Sequence, residues 1–103
     1  MTVSFVYTIP ARRMIEEADE RWITEHGITV DNPLLAEVDH AVELLCDYPQ
    51  LGLVVQHRSR HHGEVRRVLL RSGWHLYYRF DASRQLIEIL ALWFAARKSG
   101  SFL

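Results

Sequence analysis

Apolar positions recur along this chain with two different periods, and the change from one to the other divides it. Val3 to Tyr7 alternate as a short β-branched and aromatic strand, closed by Pro10, which cannot donate to a ladder but suits the first turn of a helix. Ala11, Met14, Ile15, Ala18 and Trp22 then fall on one helical stripe, with Glu16, Glu17, Asp19 and Glu20 on the wet side and Gly27 as the stop. Asn32 and Pro33 form a cap and first-turn pair. They open a second stripe of Leu35, Val38, Val42 and Leu45, flanked by Leu34 and Ala41, that ends at Tyr48-Pro49. Two amphipathic helices joined by a few residues read as a helical hairpin.

After Gly52 the period shortens to two. Val65 to Arg71 and Trp74 to Phe80 are predicted strands separated by a tight Ser72-Gly73 turn. In the second, Trp74, Leu76, Tyr78 and Phe80 share one face, expected to be core, while His75, Tyr77 and Arg79 share the other. Asp81 to Gln85 make a polar loop, and the mostly apolar run Leu86 to Phe94 predicts a central or doubly covered strand. The expected architecture is α+β, in the order β-α-α-β-β-β, with the helical hairpin on one face of an antiparallel sheet. With 103 residues, no internal repeat and no low-complexity segment, the chain reads as one domain over 1–103.

Charge and cysteine usage narrow the function classes. The net charge of −1 conceals a split: residues 1–52 hold 3 basic against 10 acidic side chains, and residues 53–103 hold 9 basic against 3 acidic. A basic C-terminal half suits an anionic partner, and mutual neutralisation of the two halves is the alternative. Cys46 is the single cysteine, so an internal disulfide or a cysteine zinc site is excluded, and the residue reads as small core filling. Arginines follow rather than precede the first apolar run, the wrong polarity for a signal peptide, and Leu86–Ala96 contains Glu88 and is too short to span a bilayer. The expectation is a cytoplasmic protein that engages no membrane.

Candidate chemistry concentrates after residue 56. The segment HRSRHHGEVRR at 57–67 offers His57, His61 and His62 in an H-x3-H-H spacing. Gly63 argues against a helix there, adjacent histidines do not share a face easily, and Glu64 is the one nearby acid, so no metal and no cofactor is expected and a basic loop is the reading. Arg66, Arg67, Arg71, Arg79 and Arg97 carry the planar fork that binds phosphate oxygens. Strand arginines also serve simply to keep an open face soluble.

Four strings, LLCDYPQLG at 44–52, VRRVLL at 65–70, WHLYYRFD at 74–81 and IEILALWFAARK at 87–98, resemble in order and spacing the RelE/ParE superfamily of toxins from bacterial type II toxin–antitoxin modules, more the ParE branch. The resemblance covers nearly the whole chain. It implies a toxin silenced by a cognate antitoxin in a toxin–antitoxin hetero-oligomer, of the kind associated with plasmid stabilization. ParE-like members act on DNA gyrase by binding, whereas RelE-like members cleave mRNA on the ribosome with basic sheet residues and a base near the C-terminus. Where related sequences carry a histidine near the end of the last strand this chain has Phe94, which cannot move a proton. The preferred expectation is therefore a gyrase inhibitor without catalysis. The alternatives are an endoribonuclease using Arg67, Arg71 and Arg79 with His75 as base, or a degenerate member that keeps only antitoxin binding. Target or antitoxin contacts are expected at Arg66, Arg67, Tyr77, Arg79, Arg97 and Lys98, and at Arg12 and Arg13, exposed on the first helix; Tyr77 is the aromatic placed to stack on a base or an antitoxin side chain.

Overall fold

The computed structural model describes residues 3–55 and 64–94. Seven elements follow in chain order: β1 (Ser4–Tyr7), α1 (Ile9–His26), α2 (Pro33–Asp47), β2 (Leu53–Val55), β3 (Val65–Leu69), β4 (Trp74–Asp81) and β5 (Leu86–Phe94). The strands form one sheet in the order β1-β5-β4-β3-β2. The α+β architecture is as expected, with two departures. The short strand β2 lies beyond the predicted order, because its three residues give too little alternation to register as a strand. The sheet is also mixed: β1 runs parallel to β5, and only the remaining pairs are antiparallel.

Both helices begin at the caps their sequences supply. The Thr8 hydroxyl oxygen accepts from the Ala11 amide at 3.3 Å and its O–H donates to the Leu90 carbonyl at 3.2 Å, so the first helix is capped and moored to β5 by one side chain. Asn32 Oδ1 accepts from the Leu34 amide at 3.0 Å. Gly27 ends α1 with φ +90, a conformation that favours glycine. Ala11 and Ala18 of the first stripe are buried, as are Leu34, Val38, Val42 and Leu45 of the second. They pack with Leu76, Tyr78, Ile87, Ile89 and Leu92 into the main core between helices and sheet.

The far face of the sheet is not uniformly open. Val65, Tyr77, Leu90 and Ala91 form a second buried cluster there, with Met14, Val55 and Trp93 packed against it. A bulge in β5 makes this possible. Tyr78 pairs with Ile89 but Tyr77 with Ala91, so Leu90 is the extra residue and the facing pattern switches at that point. Ile87 and Ile89 before the bulge join the helix-side core, and so does Leu92 after it.

The turn after β3 also differs from expectation. The Gly73 amide donates to the Leu70 carbonyl at 3.0 Å and the Leu70 amide to the Trp74 carbonyl at 2.8 Å, which makes a three-residue loop of Arg71, Ser72 and Gly73, with Gly73 at φ +91. Arg71 therefore belongs to the turn and not to the strand. The turn is tied to α2, because Glu37 Oε1 accepts from the Ser72 amide at 2.8 Å.

The link from α2 to β2 is clasped from the sheet. The Tyr78 hydroxyl donates to the Pro49 carbonyl at 2.9 Å and accepts from the Gly52 amide at 2.8 Å. Beside it, Arg66 donates to the Gln50 and Gly52 carbonyls at 3.2 and 2.8 Å and pairs with Glu64 at 2.9 Å.

Candidate functional site

The four described arginines that the sequence singled out on strands and turns, Arg66, Arg67, Arg71 and Arg79, divide into two that are neutralised within the fold and two that have no carboxylate partner among the described residues. Arg66, predicted to contact a target, spends its guanidinium on the clasp and on Glu64. Arg79, predicted as a phosphate clamp, donates through Nε and Nη2 to Glu88 Oε1 at 2.8 and 2.7 Å and reaches Asp81 at 3.6 Å. Glu88 is its directly opposite neighbour across β4 and β5, so register enforces the pair. The Asp81 carboxyl lies below its usual range, chiefly because Ser83 donates to it at 2.7 Å, with further help from the Arg84 amide and the two arginines. Among the described residues, no carboxylate pairs with Arg67 or Arg71.

Arg67 is half-buried on β3, opposite Leu53 on one side and Tyr77 on the other. His75 lies two pairs further along β4, opposite Leu69 and Trp93, and so shares the Arg67 face. Burial, and secondarily the Arg67 charge, hold the His75 imidazole below the ordinary histidine range. The structure thus brings His75 and Arg67 together and leaves Arg71 in the turn and Arg79 on Glu88. A consequence for stability follows. Because the folded state disfavours protonated His75, that contribution is present above the unfolded value of about 6.5 and is lost as pH falls below it. The melting temperature of a His75→Gln variant should fall less between pH 7.5 and pH 5 than that of the parent (about 1 unit above and about 1.5 units below the ordinary histidine pKa); superimposable profiles would refute the assignment.

Tyr77 must be corrected. It is 0% exposed, inside the far-face cluster, and cannot stack on a base or on an antitoxin side chain. Alternation placed it on the right face, but the bulge at Leu90 and the packing of Trp93 and Val55 close over that position. Arg12 and Arg13 are exposed on α1, and Arg12 borders a cleft with Glu16 and Asp39. Arg97, Lys98 and the histidines at 57, 61 and 62 lie outside the described residues. Among the described residues no group of three histidine, cysteine or carboxylate side chains is placed to hold a metal, and no helix is long and apolar enough to cross a membrane.

One feature was not legible in the sequence. A groove of about 410 Å³ runs between the C-terminal half of α2 and the β2–β3 edge, lined by His40, Ala41, Leu44, Leu51, Leu53 and Leu69, with Arg67 and Arg71 at its margin. Leu51 and Leu53 flank Gly52 in a stretch too short to show a period, so only the fold assembles them.

No protein-family model and no curated protein matches the sequence. Solved structures do match the fold. The chain is similar to one from the chromosomal ParDE toxin–antitoxin system of P. aeruginosa, at 15% identity and a TM-score of 0.69, over 89% of this chain and 95% of that one. It is similar to a chain of the RelBE2 toxin–antitoxin complex of Mycobacterium tuberculosis, at 22% identity and 0.61, over 91% and 99%. The isolated RelE toxin of E. coli gives 12% identity and 0.59, over 93% and 87%. The protein has the fold of the RelE/ParE superfamily. Within that fold its TM-score is higher against the ParDE structure than against either RelE-type structure.

Proposed function

We propose that this chain is the toxin of a type II toxin–antitoxin module, held silent by a cognate antitoxin and acting as ParE-like toxins do, by binding and inhibiting DNA gyrase. The observation that carries the choice is the neutralised sheet: Arg79 is committed to Glu88 and Asp81, and Arg66 to the clasp and Glu64, so half of the described arginines a phosphodiester site would draw on are already occupied. Phe94, at the end of β5, adds no proton carrier. Binding needs neither. Purified chain at micromolar concentration should stall gyrase supercoiling or trap cleaved DNA; uninhibited supercoiling by folded protein would sink this reading, and normal growth of a bacterial host producing soluble chain would favour the degenerate, antitoxin-binding form.

A second reading is supported by His75. An imidazole held below its ordinary range, on the same sheet face as Arg67, which has no carboxylate partner among the described residues, is suited to taking a proton from an RNA 2′-hydroxyl while the guanidinium holds the phosphate. A ribosome-dependent endoribonuclease of the RelE kind would then leave codon-phased cuts in translated mRNA, seen by primer extension and absent with His75→Gln.

A further inference from the structure

The backbone of β1 shows which of its polar groups are left over. The Ser4 amide donates to the Gln85 carbonyl and the Thr8 amide to the Ile89 carbonyl, each at 3.0 Å. In a strand paired in parallel, the amide and carbonyl of one residue point to the same side and successive residues alternate. The backbone groups of Phe5 and Tyr7, and of Val3 just before them, therefore point away from β5, and among the described residues no strand pairs with that edge. Exposed edges usually carry charge or proline, because a row of free amide and carbonyl groups recruits other strands. Residues 3 to 9 contain neither, and Phe5 and Val6 are 47% and 45% exposed.

Side chains follow the same alternation. Phe5 stands opposite Ile87 and Tyr7 opposite Ile89, both members of the core between helices and sheet, so Val3, Phe5 and Tyr7 share the helix face. Val3 and Tyr7 pack on that core. Phe5, between them, is left half-exposed with its ring edge-on to Tyr7 at 5.8 Å. The residue at the centre of the open edge thus also carries an uncovered aromatic ring.

A second copy of the chain satisfies both needs. Two β1 strands related by a two-fold axis at Phe5 run antiparallel, with Phe5 opposite the second copy's Phe5 and Val3 opposite its Tyr7. These are the residues whose backbone groups face outward, so each opposed pair can exchange two hydrogen bonds. Directly opposite side chains share a face, which sets the Phe5 and Tyr7 rings of both copies in one aromatic row. Residues 3–11 hold no charged side chain, so the pairing sets no like charges against each other within that stretch. Pairing β1 with the β2 edge of another copy lacks the symmetry: it leaves a free edge at each end and propagates as an open array.

We propose that the chain forms a two-fold homodimer through β1, joining two five-stranded sheets into one continuous sheet with Phe5 at its centre. This stands independently of the toxin–antitoxin reading above. So short a strand makes a contact at the small end of specific interfaces, which places the dissociation constant at about 1–100 μM.

Sedimentation of the parent across that range should show a concentration-dependent passage from monomer to dimer. As it proceeds, the Phe5 and Tyr7 amides should exchange more slowly with solvent while those of Ser4 and Val6, already turned to β5, stay unchanged. Phe5→Lys and Phe5→Glu each set like charges directly opposite and should raise the dissociation constant about tenfold or more. An equimolar mixture of these two variants should dimerise again, because opposite charges then face each other, a recovery that misfolding cannot imitate. Phe5→Pro removes an amide that faces outward and not one bonded to β5, so it should lose the dimer with its circular dichroism unchanged. Val54→Glu, on the β2 edge, should dimerise as the parent does. A parent that stays monomeric up to about 500 μM (several times the weakest expected dissociation constant), a dimer as tight in the Phe5 variants as in the parent, or a mixture that remains monomeric each overturns the proposal. Mass that rises past the dimer and is lost with Val54→Glu assigns the association to β1 on β2 instead.

Discussion

Gly52→Ala should lower stability by about 2–3 kcal/mol, and the melting temperature by about 10 °C or more, one of the largest effects of any single methyl group added to this chain. A Cβ built at Gly52 meets Tyr78 Cε1 at 2.7 Å, and the Arg67 carbonyl oxygen and Tyr78 hydroxyl at 2.8 Å each. None of these atoms is free to give way. The Tyr78 ring is fully buried and its hydroxyl is held by Pro49 and by Gly52 itself, and the Arg67 carbonyl belongs to a strand paired on both sides. Gly27→Ala provides the contrast. There the new methyl meets nothing within 4 Å, and only the positive φ of +90 opposes it, so the expected cost is about 1 kcal/mol. Urea unfolding of the two variants separates crowding from backbone strain; equal losses at the two positions would show that the close approach at Gly52 relaxes freely.

Leu45→Ala should cost about 2–5 kcal/mol, a large share of the total stability of a domain this size. Leu45 is 0% exposed on the buried stripe of α2 and belongs to the main core with Tyr78, Ile87 and Leu92. Removing its branch leaves a cavity between helix and sheet that rigid neighbours fill only in part. The same substitution at Leu51, on the groove rim, should stay within about 0.5 kcal/mol, because that side chain is largely exposed. A denaturation series in which Leu51→Ala matched Leu45→Ala would contradict the burial assigned to both.

The helices were legible because both of their signals are local. Pro10, Asn32 and Gly27 act within a few residues, and the stripes through Ala18 and Val42 need only a turn or two to show. The antiparallel β3 to β5 meander was legible for a related reason, since alternation and a Gly73 turn are neighbours in sequence. What escaped depends on distant partners. The parallel pairing of β1 with β5 leaves no mark on either strand. The bulge at Leu90 falls within an unbroken apolar run, where a change of face is invisible, and it went with the burial of Tyr77. Arg79 looked like an available cation because its partner, Glu88, becomes opposite only once the strands are in register. His75 and Arg67 were named singly in the sequence, and their proximity came from the β3–β4 pairing.

The mooring of β1 to β5 also bears on how the protein comes into being. The Thr8 hydroxyl and the Leu90 carbonyl that it binds are 82 positions apart, and Ser4 to Tyr7 have no partner strand until Leu86 to Ile89 exist. During vectorial synthesis α1 and α2 emerge early but have no β5 to pack on, and contacts of such wide separation form late and slowly. Until β5 has been made, a nascent chain therefore carries the apolar faces of Ala18 and Val42 unsatisfied, and the core between helices and sheet closes only afterwards.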